Sequence, residues 1–103
     1  MINLLNKPIH ILGAGGIGTV MAWSLAQKGY SVILIDSHPG KVAEGKKTGV
    51  TVTGLGTQMI PFTTFDDWTA PQEGIVLLCT RTYDNSAVLA RLSEDTCLVP
   101  IQT

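Results

Sequence analysis

The stretch Gly13-Ala14-Gly15-Gly16-Ile17-Gly18 constrains this chain more than any other, because so dense a run of glycine fits few places in a fold. It follows Ile9-His10-Ile11-Leu12, a short run rich in β-branched residues that is preceded by Pro8 and stopped by Gly13, and that reads as a buried strand. From Gly16 the apolar residues Ile17, Val20, Met21 and Leu25 recur at helical spacing, Ala22 and Ala26 favour the helix, and Gly29 is placed to close it. Trp23 falls off that stripe; a buried or half-buried packing role is expected of it in preference to a contact with another domain. Ser31-Val32-Ile33-Leu34-Ile35 is nearly continuous in apolar residues, as in a strand covered on both faces of a parallel sheet. Together these segments make a βαβ unit of roughly thirty residues.

In that setting the glycines satisfy G-x-G-x-x-G, and each has its own task. Gly13 permits the tight turn, Gly15 lets the backbone approach a pyrophosphate where a Cβ would collide, and Gly18 allows close packing of helix on strand. The helix N-terminus offers unpaired N–H groups and a partial positive charge, so no side-chain cation is required. Asp36 ends the second strand 18 positions after Gly18, near the spacing of an acid that accepts hydrogen bonds from the adenosine ribose hydroxyls. The expected ligand is NAD(H) or NADP(H), held by Gly13, Ala14, Gly15, Gly16, Ile17, Gly18 and Asp36. The carboxylate favours NAD(H) because it repels a 2′-phosphate; His38 and Lys41 follow closely enough to accept one, which leaves NADP(H) open. The plainer alternatives are a glycine turn that binds nothing, and Asp36 or Ser37 serving as a helix cap.

Further along, Pro39 is placed to open a short second helix through Lys47, weakened by Gly45. Val50-Thr51-Val52-Thr53 and Gln58-Met59-Ile60-Pro61-Phe62 flank Gly54-Leu55-Gly56-Thr57, the pattern of a hairpin. Asp66-Asp67-Trp68 suits a single helical turn, and Phe65 and Trp68 are expected to close the core before Ile75-Val76-Leu77-Leu78-Cys79, a third parallel strand. Tyr83 to Leu92 reads as a helix started by Asp84 or Ser86, and Cys97 to Ile101 as a final strand. Strands alternating with helices point to an open α/β sheet.

With 103 residues, 45% of them apolar and 15% charged, the chain has the material for one core and one domain. A formal charge of −1 supplies no excess of cations for nucleic acid or an anionic membrane. No apolar run approaches bilayer-spanning length and no secretory signal pattern opens the chain, so a cytoplasmic setting is expected. Cys79 and Cys97 lie in or beside apolar runs and read as buried structural thiols. Asp66-Asp67 are adjacent rather than facing and suit capping; no metal site is expected.

Beyond the glycine turn, the chain resembles the N-terminal domain of the ketopantoate reductases (2-dehydropantoate 2-reductases). The resemblance spans nearly the whole chain and rests on Ile11 to Gly18, Gly49-Val50-Thr51-Val52, Leu77-Leu78-Cys79-Thr80-Arg81-Thr82-Tyr83-Asp84 and Val99-Pro100-Ile101-Gln102-Thr103. It implies a Rossmann-like open, mostly parallel sheet with helices on both faces and an antiparallel hairpin insertion, and residues 1–103 as one dinucleotide-binding domain. Members of that family reduce the ketone of 2-dehydropantoate to pantoate with hydride from NADPH, on the route to pantothenate and coenzyme A. By the same resemblance Arg81 stands where the family has a cofactor-contacting Lys, and Thr103 where it has the Asn of a Gln-Asn-Gly or His-Asn-Gly motif. Ser37 takes the place of an Arg that meets the 2′-phosphate in NADPH-using members.

The family's second, helical domain carries the Lys general acid and a Glu, and nothing in this sequence replaces them; His10 and His38 are not placed for that role. The resemblance thus predicts cofactor binding without turnover, no catalytic residue within the chain, and a C-terminal domain or another subunit as the missing partner, the chain being a truncated or shortened piece. Two other readings are open. A stand-alone NAD(H)-sensing regulatory domain starts the same way but passes soon to another parallel strand, whereas the hairpin pattern here favours the reductase. An apo structural domain would keep the motif and lose binding.

Overall fold

The computed structural model describes residues 7–71, 74–79 and 85–101. Its elements are β1 (Ile9–Leu12), α1 (Gly16–Gln27), β2 (Val32–Asp36), α2 (Pro39–Thr48), β3 (Val50–Val52), β4 (Gly56–Gln58), β5 (Phe62–Thr64), β6 (Gly74–Leu78), α3 (Asn85–Leu89) and β7 (Thr96–Pro100). The apolar runs become a parallel sheet in the order β5-β2-β1-β6-β7, with β1 in the middle; Ile9 lies opposite Val32 on one side and Ile75 on the other. A strand so placed must be apolar on both faces, which is why its sequence does not alternate.

Alternate residues feed two cores. Ile9, Ile11, Val32 and Leu34 face α1 and α2, where Ala22, Trp23 and Val42 cover them. Leu12, Ile35, Val76 and Leu78 face the other way, against Trp68 and α3's Val88. His10 shares that second face. It is 8% exposed, and its Nδ1 accepts the Trp68 indole N–H at 2.9 Å. Burial pushes its pKa below the ordinary histidine value, in keeping with a neutral ring acting as acceptor. Phe65 stacks on Trp68, and the Arg91 guanidinium lies 3.8 Å over Phe65 while donating to the Phe65 carbonyl, so the expected closure of this core is observed.

Four expectations need correction. First, Phe62 does not belong to the hairpin: β3 pairs only with β4, Val50 opposite Gln58, and Phe62–Thr64 joins the main sheet beside β2. The third strand of the sheet is therefore β5, and Ile75 to Leu78 form the fourth. Second, α1 buries Gly18, Ala22 and Trp23, while Ile17 and Val20 of the expected stripe are 44% and 53% exposed. The Trp23 side chain is buried, and its indole N–H donates to the Gly56 carbonyl at 3.0 Å, seating the hairpin on the helix. Third, Asp66 and Asp67 sit in a turn rather than a helix, held by the Asp67 N–H donating to the Thr64 hydroxyl. Fourth, the two thiols are not fully buried: Cys79 is half-buried, and Cys97 is exposed on the edge strand β7, opposite Ile75.

The helix ends follow capping chemistry. Gly29, with φ 92°, closes α1 through its own N–H to the Ala26 carbonyl and the Tyr30 N–H to the Leu25 carbonyl, the Schellman pattern. Gly45 has a packing reason for its place in α2. A Cβ there would lie 2.4 Å from the Phe62 ring, so the glycine lets the helix rest on β5. The expected helix from Tyr83 is observed as Asn85–Leu89; Tyr83 and Asp84 lie outside the described residues. Among the described residues no helix is long and apolar enough to cross a membrane.

Candidate functional site

After β5 the chain crosses to the opposite side of β1, so the carboxyl ends of β1 and β6 border the point where the strand order reverses. Open α/β sheets bind ligands in the crevice at that place. The glycine turn stands there, tied to both neighbouring strands: the Gly13 N–H donates to the Ile35 carbonyl at 2.7 Å, and the Leu12 carbonyl accepts from the Cys79 N–H at 2.8 Å.

The glycines divide by what surrounds them. Gly13 has φ 104°, a conformation L side chains rarely adopt. At Gly18 a Cβ would sit 1.8 Å from the Gly13 carbonyl oxygen, so only glycine lets α1 lie this close to the turn. Gly15 and Gly16 have no such internal reason. Neither has a positive φ, both are exposed, and a Cβ on either would find nothing within 4 Å. Gly15, as the N-cap, is a residue type favoured there over alanine, whereas Gly16, inside the first turn, costs helix stability and gains no contact in return.

The N-terminus of α1 begins at Gly15 with no side-chain cap, and no acidic residue stands in its first turn. Its first N–H groups lack intrahelical acceptors by geometry and carry the positive end of the helix dipole. The Thr19 hydroxyl donates back to the carbonyls of Gly15 at 2.7 Å and Gly16 at 3.1 Å, so its oxygen is tied within the first turn. Nothing in the G-x-G-x-x-G pattern marks Thr19; only its position one turn into the helix hints at this bond.

Asp36 lies at the end of β2 beside the turn. Its Oδ2 accepts the Ala14 N–H and its Oδ1 the His38 N–H, each at 2.9 Å. Ser37 follows as an exposed residue of the connection. The cap of α2 is neither of these but His38, whose Nδ1 accepts the Lys41 N–H at 3.2 Å, with Pro39 as the first helical residue. Lys41 and Ala14 both border a cavity of about 280 Å³ between α1 and α2, floored by Val50 and Phe62. Lys41 is thus within the neighbourhood of the turn, as its sequence position suggested. The structure brings Asp36 against the turn Gly13 to Gly18, with Ser37 exposed next to it in the chain; Arg81 and Thr103 lie outside the described residues.

A parallel sheet in this order, with a glycine turn and an acid-ended neighbouring strand at its switch point, defines the class as a dehydrogenase-type Rossmann domain. The ketopantoate reductase PanE/ApbA family profile matches residues 9–102, and the chain belongs to that family. Solved structures share the fold. D-mandelate dehydrogenase, determined with NADH and anilino(oxo)acetate, superposes with a TM-score of 0.79 at 21% identity, over 94% of this chain and 33% of that one. A probable 2-dehydropantoate 2-reductase from Bacillus subtilis gives 0.74 at 13% identity, over 94% of this chain and 34% of that one. A shorter likeness, 46% identical over 48 residues, is to the methylenetetrahydrofolate–tRNA-(uracil-5-)-methyltransferase of Bartonella bacilliformis. This chain spans about a third of the dehydrogenases and 10% of the methyltransferase.

Proposed function

We propose that this chain is the NAD(P)(H)-binding domain of a cytoplasmic oxidoreductase that reduces the ketone of 2-dehydropantoate, the reaction that supplies pantoate for pantothenate. One observation carries the binding reading. Gly15 and Gly16 keep the N-terminus of α1 bare although no packing contact requires it, which leaves open space there for a group from outside. A pyrophosphate fits that space: it is anionic, it accepts hydrogen bonds from backbone N–H groups, and it needs the close approach that a Cβ would block.

The remaining assignments follow from that placement. Gly13 and Gly18 shape the turn, the N–H groups from Gly15 to Gly18 meet the phosphates, and Asp36 accepts from the ribose hydroxyls with the lone pairs its backbone bonds leave free. Arg81 and Thr103 are assigned to the cofactor by family position. The cofactor supplies the hydride when bound. His10 is committed to Trp68 within the sheet core; by family resemblance the proton for the new alkoxide is assigned to a further helical domain or another subunit, and this domain alone binds without turning over.

Separate calorimetric titrations of NADH and NADPH at low salt test this reading. NADH is expected to bind more tightly, since Asp36 opposes a 2′-phosphate. Tighter NADPH binding would overturn that preference and assign the phosphate to His38, Lys41 or Arg81. Binding of neither would overturn the domain's function.

A further inference from the structure

We infer that Asp36 is a positioning residue for the glycine turn itself, setting the shape of the phosphate cradle before any ligand arrives. This deepens the reading above and rests on it only where phosphate binding is concerned. The acid that closes β2 would be expected to keep its oxygens for a ribose, yet both are already engaged by backbone N–H groups on opposite sides. Oδ2 takes Ala14, 22 residues back in the chain, and Oδ1 takes His38. The carboxylate thereby bridges the β1–α1 turn to the β2–α2 connection.

The bridge has four consequences. Ala14 is 7% exposed, so without Asp36 its N–H would be left without its acceptor in a nearly buried place. The bond also fixes the Gly13–Ala14 peptide, one residue before Gly15, where φ −84° and ψ −164° begin α1. And because the Ala14 N–H is committed to Asp36, the N–H groups left for a phosphate are those after it. Two bonds also hold the carboxylate at one orientation, so it does not swing aside for an incoming group.

The sign of an electrostatic effect separates this role from simple ribose binding. Pyrophosphate has no ribose, and removing a nearby negative charge should, by Coulomb attraction alone, strengthen its binding. If Asp36 shapes the cradle, its loss weakens pyrophosphate binding instead.

The test uses the ¹⁵N-labelled chain without cofactor, as wild type, Asp36→Asn and Asp36→Ala. Amide exchange is read at Ala14 and corrected for intrinsic rates. In the wild type Ala14 should exchange about tenfold more slowly than Gly16, the protection of one charge-assisted hydrogen bond, and Asp36→Ala should remove that protection. Inorganic pyrophosphate, titrated and followed at the amides of Gly15 to Gly18, should bind several-fold more weakly to both variants. An unprotected Ala14 in the wild type overturns the inference even if neither variant folds. Equal or tighter pyrophosphate binding by the folded variants also overturns it. If wild type binds neither pyrophosphate nor NADH, the function proposed above fails, while the Ala14 exchange still decides whether Asp36 holds the turn.

Discussion

Gly13 and Gly18 face into the molecule, Gly15 and Gly16 face out of it, and the difference separates the folding duty of the motif from its binding duty. The inward pair answers to the chain: one needs a positive φ, the other stands where a Cβ would meet a backbone oxygen at 1.8 Å. The outward pair meets nothing within 4 Å and has ordinary backbone angles. A single sequence pattern thus has two physical causes, and substitution at each position should show which is at work.

The largest expected effect is at Gly18. A methyl group there drives α1 off the turn, and Gly18→Ala should destabilise the domain by about 3 kcal/mol or more, read by urea denaturation. Gly45→Ala tests the same inward class one helix later. The Phe62 ring must move, and the cost should be about 1–3 kcal/mol, partly offset by alanine's better helix propensity.

His10 extends the division to titration. His10 is buried and bonded to Trp68, whereas His38 is exposed at the start of α2. Because burial lowers the His10 pKa from 6.5, the unfolded chain takes up the proton first as pH falls. Its contribution to stability is complete above 6.5 and declines below it until the lower folded pKa is passed. The melting temperature should drop over that interval, and His10→Asn, which keeps an acceptor and cannot titrate, should flatten the drop. At the small end stands Gly16→Ala, which should leave stability unchanged or raise it by about 0.5–1 kcal/mol.

The legibility of the sequence follows the same line. The βαβ unit could be read because its strands are buried on both faces and its turn has a fixed chemistry. The face of α1 could not. Apolar spacing favours Ile17, Val20, Met21 and Leu25, but the rotation of the helix is set by Gly18 against Gly13 and by Trp23 bonding to the hairpin, contacts that no periodicity records. Phe62 was misplaced because a three-residue strand after a hairpin reads as more hairpin; its pairing with β2 is a tertiary fact. In the candidate site, Asp36 was found by its spacing from the glycines, but its bonds to Ala14 and His38 depend on how two distant turns meet. His38 was missed as a cap because serine and aspartate stood just before it with the usual capping chemistry.

The most direct test of the central claim is an NADH titration of Gly15→Ala beside its thermal melt. The expected result is a melting temperature lowered only modestly, by the loss of a favoured N-cap residue, and an affinity reduced by about tenfold or more, since the added methyl projects into the open space before the helix. Unchanged NADH binding by the folded variant would contradict this: the open space at Gly15 would then not be where the cofactor lies.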